Sequence, residues 1–445
     1  MLKSRKFRYS ALAIAASSAI ALSGCGASSP DTGDASKVLR VQVSQGDSNP
    51  EIGQALIDGF SAANPGLDVR MELITQDAVI STNLGVLSGA NPPDVGLIKT
   101  GTSGYQALVS SDGLEDLADV WAASNLDERY PETLNQNLSY GGKHYSIGIS
   151  TGYYNVVYYN KDLFASAGIT EPTDHRIGTV DELYSIVDKL KAAGTEGIAI
   201  GASAGFPASW MIDAILPTAA TSDQMGNYLT NYQTDAEVTA HYTDEPFVAT
   251  LTQLEQMADK GVFPKGFLAS DLGKATADFS AGRAGMLHQG FWAAKELIDS
   301  KLAFDFDWAL LPPLAGSDQK TQLSSFFATG YSIPAGAKNI ELAKKFLEYA
   351  VSVEGQQDAI VKVGSQLPAV NDVPDAAFSD INPYVQSMLA DAKANGAQFG
   401  WTSAVPATLG QALTDPLLQK LYAGKTTPVE IADAVEAKLG VLRKG

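Results

Sequence analysis

Residues 39–98 switch back and forth between two hydrophobic periods, and this alternation restricts the fold more than any other feature of the chain. Leu39, Val41 and Val43 alternate with Arg40 and Gln42, the period-two pattern of a strand. After the loop Ser44-Gln45-Gly46-Asp47, Ile52, Leu56, Ile57 and Phe60 recur at helical spacing until Asn64-Pro65-Gly66 stops the run. Val69, Met71 and Leu73 alternate again, a helix rich in small residues is expected from Val79 to Leu87, and Asp94–Ile98 reads as a short buried strand broken by Gly101. Strand, helix, strand, helix, strand in this rhythm implies a mostly parallel sheet with helices on its faces, an α/β fold.

The pattern resumes with a strand at Tyr153–Tyr159. Thr179 and Glu182 form a capping box ahead of the stripe Leu183, Ile186, Val187, Leu190, and Gly194 ends that helix. Gly197–Ile200 reads as a strand, and helices are expected at Phe247–Asp259 and Leu272–Ser280. Ala343, Phe346, Leu347 and Ala350 mark another amphipathic helix, and Thr427-Pro428 with Glu430 starts the last one. The polar stretch Thr221–Glu245 has few periodic apolar residues and reads as an excursion at the surface. No internal repeat is found. At 445 residues, with 45% apolar and 18% charged side chains, the chain buries a sizeable core in two or three domains, or in one chain folded as two lobes.

Composition removes whole classes of function. The net charge of −19 repels phosphate backbones, so nucleic acid is not an expected partner. One cysteine excludes an internal disulfide and a Cys-rich metal site, and His144, His175, His241 and His288 are not at paired ligand spacing. No metal and no cofactor are expected. Gly201-Ala202-Ser203-Ala204-Gly205 matches a nucleophile elbow after an apolar strand, but Phe206-Pro207 follow where the elbow must turn directly into a helix. Gly424-Lys425-Thr426 has the end of a phosphate loop, yet Gln419 stands where that loop needs glycine. The chain is therefore read as a binding protein without catalytic residues.

The N-terminus indicates a compartment. Lys3, Arg5, Lys6 and Arg8 precede a small-residue apolar stretch from Ala11 to Leu22, the layout of a signal peptide over residues 1–24. The stretch is too short and too rich in Ala and Ser for a stable span, which takes about 20 mainly apolar residues. Leu22-Ser23-Gly24-Cys25 resembles the lipobox of bacterial lipoproteins, which implies acylation of Cys25. Residues 25–37 then read as a polar tether. The implied location is the outer face of the cell membrane, held through the lipid anchor alone.

Aromatic residues beside chain breakers at the expected strand ends form the one suggestive set. Tyr153-Tyr154 follow Thr151-Gly152, Trp210 follows the 201–205 loop, Phe291-Trp292 follow Gln289-Gly290, Phe326-Phe327 precede Gly330, and Phe399 and Trp401 flank Gly400. Open α/β sheets bind ligands beyond the carboxyl ends of their strands. Aromatic faces there suit the C–H faces of a sugar ring, while nearby amides and carboxylates satisfy its hydroxyls.

Four strings, in order, carry a family resemblance: Tyr158-Tyr159-Asn160-Lys161-Asp162-Leu163-Phe164 with Gly168-Ile169; Phe279-Ser280-Ala281-Gly282-Arg283-Ala284-Gly285-Met286 with Gly290-Phe291-Trp292; Gly330-Tyr331-Ser332-Ile333-Pro334; and Tyr422-Ala423-Gly424-Lys425-Thr426-Thr427-Pro428. Behind a lipobox, this chain resembles the extracellular solute-binding lipoproteins of carbohydrate ABC importers, the group related to maltose-binding protein. The resemblance implies a periplasmic-binding-protein-like fold, two α/β lobes with a hinge and an interlobe ligand cleft, acting as a monomer that delivers a carbohydrate, preferably an oligosaccharide, to ABC permease subunits. Carried over, lobe one is 38–148 plus 330–375 and lobe two 149–329 plus 376–445, with crossings near Ile149, Thr329 and Pro374. The implied ligand contacts are Gln45, Gly46, Thr100, Gly101, Tyr153, Tyr154, Trp210, Gly290, Trp292, Phe326 and Trp401. Val180 stands where the family often has tryptophan, the spacer Thr173–Gly178 is long, and 221–245 matches no part of the pattern. The competing readings are a surface hydrolase using Ser203 and an adhesive surface lipoprotein.

Overall fold

The computed structural model describes residues 37–45, 49–75, 78–79, 82–100, 103–131, 134–135, 138–203, 205–233, 236–327, 330–406 and 408–444. The leader, Cys25, Gly46 and Gly101 lie outside the described residues.

The alternating run at the start of the fold forms β1 (Val38–Ser44), which lies parallel to β2 (Asp68–Ile74) with Leu39 opposite Val69 and Val43 opposite Leu73. The crossover is α1 (Asn49–Ala63), whose Ile52, Leu56, Ile57 and Phe60 are buried. β3 (Gly96–Ile98) follows, tied to β1 by a parallel bridge between Val41 and Val95. Of the helix expected over 79–87, the stretch Asn83–Leu87 is regular. Its first residue turns inward: the Asn83 amide donates to Gln42 Oε1 at 2.9 Å and to the Leu97 carbonyl at 2.6 Å.

The chain then enters the second lobe along β4 (Ser150–Asn160), buried along most of its length. There follow α2 (Val180–Ala192), β5 (Glu196–Ala199), α3 (Phe206–Ala219), α4 (Ser222–Thr230), α5 (Glu245–Asp259), β6 (Ala284–Gly290), β7 (Phe306–Leu310) and β8 (Leu323–Phe327). β9 (Gly330–Ser332) returns to pair antiparallel with β3, and α6 (Ile340–Ala350) buries the expected Ala343, Phe346, Leu347 and Ala350. β10 (Leu367–Pro368), α7 (Pro383–Asn395), β11 (Ala397–Phe399) and α8 (Pro428–Leu442) complete the elements used below. The sheet runs β11-β8-β4-β6-β5, with β7 and β10 also on β4. β4 is antiparallel to β6, β7, β8 and β10, so this sheet is mixed, not mostly parallel. The reason is that β4 is itself the entering segment and runs against the strands that it organises.

The apolar cores follow the two lobes. One draws on residues between Leu39 and Ile149 and between Tyr331 and Val373. Two others lie between Val156 and Leu439. Several sequence expectations acquire a physical cause here. Thr179 caps α2 by accepting from Glu182 N, but Glu182 Oε2 accepts from Gly178 N, so the reciprocal half of the expected box goes one residue earlier. The full capping box is present at Thr427 and Glu430. The long spacer pins β7 to α7: Arg176 forms a bidentate pair with Asp391 at 2.8 and 2.9 Å, with both side chains buried. The segment 221–245 is more than a surface excursion. It contains α4, capped by Thr221 and Gln224, and it buries Met225, Tyr228 and Tyr242 in the lobe-two core. Its polar residues mainly serve the backbone: Asn227 Oδ1 accepts from Thr239 N and Ala240 N, and Glu436 of α8 accepts from Tyr242 N at 2.8 Å.

Candidate functional site

The aromatic residues at the strand ends of lobe two divide into an open group and a buried one. β4 leaves the lobe-one core just after Ile149, and β8 ends just before β9 re-enters lobe one, so Tyr153, Tyr154 and Phe326 stand at the lobe boundary. Trp210 enters from the first turns of α3, and Trp292 follows the end of β6. Trp210 and Trp292 meet edge to face with centroids 5.7 Å apart, Trp292 and Phe326 do the same at 5.7 Å, and Tyr154 lies 5.3 Å from Trp210 and 5.9 Å from Phe326. Tyr153, Trp210, Trp292 and Phe326 are half-buried, so each keeps surface outside the core.

Glycines make this packing possible. A Cβ on Gly290 would stand 2.2 Å from the Trp292 ring, and one on Gly152 would stand 2.2 Å from Phe291 and 2.9 Å from Phe326. Trp292 Nε1 donates to Gln289 Oε1 at 3.1 Å, which orients the indole.

Behind the rings lie two buried polar clusters that sequence patterns do not single out. Asn155 has φ of 64° where the β4–β6 register slips between Tyr154 and Val156. Its amide donates to the Trp210 carbonyl and to Ser324 Oγ, each at 2.7 Å, and its oxygen lies 2.9 Å from His288 Nε2. Burial pushes the His288 pKa down to about 3, so the imidazole is neutral. With Nε2 donating to Asn155, Nδ1 is a buried acceptor without a protein partner. Asp213, one turn beyond Trp210, accepts from Tyr154 Oη at 2.6 Å, from Thr402 N at 2.9 Å and from Thr402 Oγ1. Burial raises its pKa to about 7 against the opposing pull of these hydrogen bonds.

Two expected contacts require correction. Trp401 has 0% exposure. Its Nε1 donates to Tyr242 Oη at 2.9 Å, and its ring packs on Tyr242 and Phe247, so it belongs to the lobe-two core. Tyr154 is 1% exposed and supports its neighbours from behind. On the lobe-one side Gln45 is exposed and Thr100 half-buried at the carboxyl ends of β1 and β3. Lys99 stands beside Thr100 with its pKa lowered by desolvation, a basic neighbour absent from the expected contacts. In the 201–205 loop Ser203 is exposed. His241 is engaged with Glu436 and His288 with Asn155, so neither histidine serves Ser203. Among the described residues no cluster of three or more His, Cys, Asp or Glu side chains is placed to hold a metal ion.

Two α/β lobes crossed by β4 and β8–β9, with aromatic rings gathered at the boundary, define a bilobed solute-binding protein. The chain belongs to the bacterial extracellular solute-binding protein family, whose model matches residues 46–357. It is similar to an uncharacterized ABC transporter extracellular-binding protein of Pyrococcus horikoshii, 22% identical over 389 residues, or 85% of this chain and 83% of that one. A probable sugar-binding periplasmic protein of Rhizobium meliloti is 27% identical over 336 residues, covering 73% of this chain and 75% of that protein. Among solved structures, a chitin oligosaccharide binding protein superposes with a TM-score of 0.76 at 19% identity, over 92% of this chain and 99% of that one.

Proposed function

We propose that this protein binds an extracellular carbohydrate, an oligosaccharide in preference to a single sugar, between its lobes and passes it to an ABC permease. The observation that carries this reading is the run Trp210–Trp292–Phe326 at the lobe boundary, half-buried and edge to face, with Gln289 on the central indole. Such faces match the apolar side of a sugar ring, and amides match its hydroxyls. The kinship with a sugar-binding periplasmic protein supports the same chemistry, and the acidic chain suits a neutral ligand better than a polyanion.

In this reading Tyr153, Trp210, Gly290, Trp292 and Phe326 form the lobe-two wall, with Tyr154 behind it. From lobe one, Gln45 and Thr100 supply the opposing contacts; Gly46 and Gly101, expected beside them, lie outside the described residues. Lobe one comprises 38–148 plus 330–375 and lobe two 149–329 plus 376–445. Closure is a population shift toward the state in which both lobes hold the ligand. A lipid on Cys25 tethers the monomer to the membrane. The test is a thermal-shift screen of residues 38–445 against a glycan panel, with Trp292→Ala as control. A ligand at 100 times its Kd adds about 2.7 kcal/mol to stability, and Trp292→Ala should abolish that gain. A cooperatively folding protein stabilised by no glycan, or a Trp292→Ala variant with undiminished affinity, would overturn the assignment.

A further inference from the structure

The segment 221–245 has a consequence beyond packing. Its helix α4 forms one wall of a cavity of about 430 Å³ on lobe two; the distal half of α3, the 319–322 loop and β11 supply the others. Trp210 lies ten residues before Ala220 along α3, and Phe326 four residues after Gln322. At 1.5 Å per helical residue and about 3.3 Å per strand residue, these far walls stand roughly 13–15 Å along their elements from the aromatic residues, while Asp213 in the near wall is one turn beyond Trp210.

The lining has a definite chemistry. Gln319, Gln398 and Ser222 carry amide and hydroxyl groups with no protein partner among the described residues, and Met225, Leu229 and Pro217 supply apolar surface beside them. Lys320 stands at the rim, and Asp213 in the wall is already held by Tyr154 and Thr402. A mostly polar lining with a smaller apolar share suits a polyhydroxylated ring better than a lipid chain.

The helix itself is built to leave room. Gly226 lies in the middle of α4, at a cost of about 0.5–1 kcal/mol relative to alanine. It has no positive φ, and a Cβ built on it would meet nothing within 4 Å. No contact demands a glycine there; a larger residue would project into the cavity that Gly226 lines.

We propose that this cavity is a second carbohydrate site, taking a neutral sugar unit against Met225 and Leu229 with Gln319, Gln398 and Ser222 bonding its hydroxyls. It rests on the carbohydrate reading for its choice of probes and on different residues for its geometry. The occupant is either a free sugar or the far end of an oligosaccharide whose other end lies on Trp292. The shared Asp213 places either occupant next to the group that holds Tyr154.

The experiment follows the Met225 methyl and the Trp292 indole N–H by NMR during titration with D-xylose, D-glucose and N-acetyl-D-glucosamine, and with their β-1,4-linked trimers. The expected result is a saturable Met225 shift that Gly226→Leu removes while leaving the Trp292 response in place. Gln398→Ala with Ser222→Ala should lower the cavity affinity about tenfold, as two hydrogen bonds of roughly 0.5–1.5 kcal/mol each imply. If trimers bridge the sites, Trp292→Ala weakens their Met225 response; if the occupant is a free sugar, the Met225 response is unaffected. A Trp292 response with an unmoved Met225 methyl overturns the second site alone. A Met225 response with a silent Trp292 overturns the cleft assignment alone, and silence at both overturns both. A Met225 shift that survives Gly226→Leu unchanged also refutes the cavity as its source.

Discussion

Replacing Asp213 tests whether buried polar groups, not only apolar packing, hold the aromatic wall in place. The carboxylate is the common acceptor for Tyr154 Oη, Thr402 N and Thr402 Oγ1, and so joins α3, β4 and the chain after β11. Asp213→Ala leaves these three donors without that acceptor. A stranded buried group costs about 1–3 kcal/mol, and the two hydroxyls can rotate, so the expected loss at pH 5, where the carboxyl is protonated, is roughly 2–4 kcal/mol and shrinks as pH rises. Asp213→Asn keeps one acceptor oxygen and should lose about 1 kcal/mol at pH 5, where the carboxyl is protonated, and should become more stable than the wild type at pH 8. The sign of the pH dependence follows from the raised pKa. Its folded value of about 7 lies above the ordinary 3.8, so the folded state holds the proton more tightly. The stabilisation from Asp213 is fully present below about pH 4 and is lost as pH rises through 7. Relative to Asp213→Asn, the wild type should therefore lose about 1.4 kcal/mol for each pH unit between 5 and 7. Urea unfolding followed by tryptophan fluorescence at pH 5 and pH 8 measures both effects, and calorimetry with the glycan found by screening measures affinity. An Asp213→Ala variant within about 0.5 kcal/mol of wild type at both pH values would refute the reasoning.

Other substitutions separate roles in the same region. Gly290→Ala drives a methyl into the Trp292 ring, since the added Cβ would stand 2.2 Å from it; the expected outcome is at least a tenfold loss of carbohydrate affinity by calorimetry. Trp401→Ala empties a site with no exposure and should cost about 3–5 kcal/mol in denaturant unfolding, while the folded fraction keeps its affinity. Trp292→Ala should show the reverse, with lost affinity and a smaller stability change. Equal affinity losses for the two tryptophans would return Trp401 to the ligand wall.

The contrast between Trp292 and Trp401 shows where sequence patterns lose resolution. Each follows a glycine near a strand end, and by local context they are equivalent. Trp292 stands half-open because Gly290 lets it fold back over β6 and Gln289 takes its N–H. Trp401 is buried because Tyr242 and Phe247, more than 150 positions earlier, close over it. Tyr242 belongs to the polar segment whose composition suggested a surface excursion. Asp213 is equally silent in sequence, an acidic residue inside an apolar helix that acquires meaning only when Tyr154 and Thr402 arrive from other elements.

The order of chain patterns by itself determined the α/β class, the helix that joins β1 to β2, the apolar faces of α2 and α6, and the family. Those are local or one-dimensional properties: a hydrophobic period reports which face of an element is covered, and a motif reports its own residues. Only the tertiary structure decided the mixed direction of the lobe-two sheet, which rings stay open at the lobe boundary, and how Asn155 and Asp213 hold them. Such outcomes depend on which distant side chain reaches the space first, and a period carries no record of the partner.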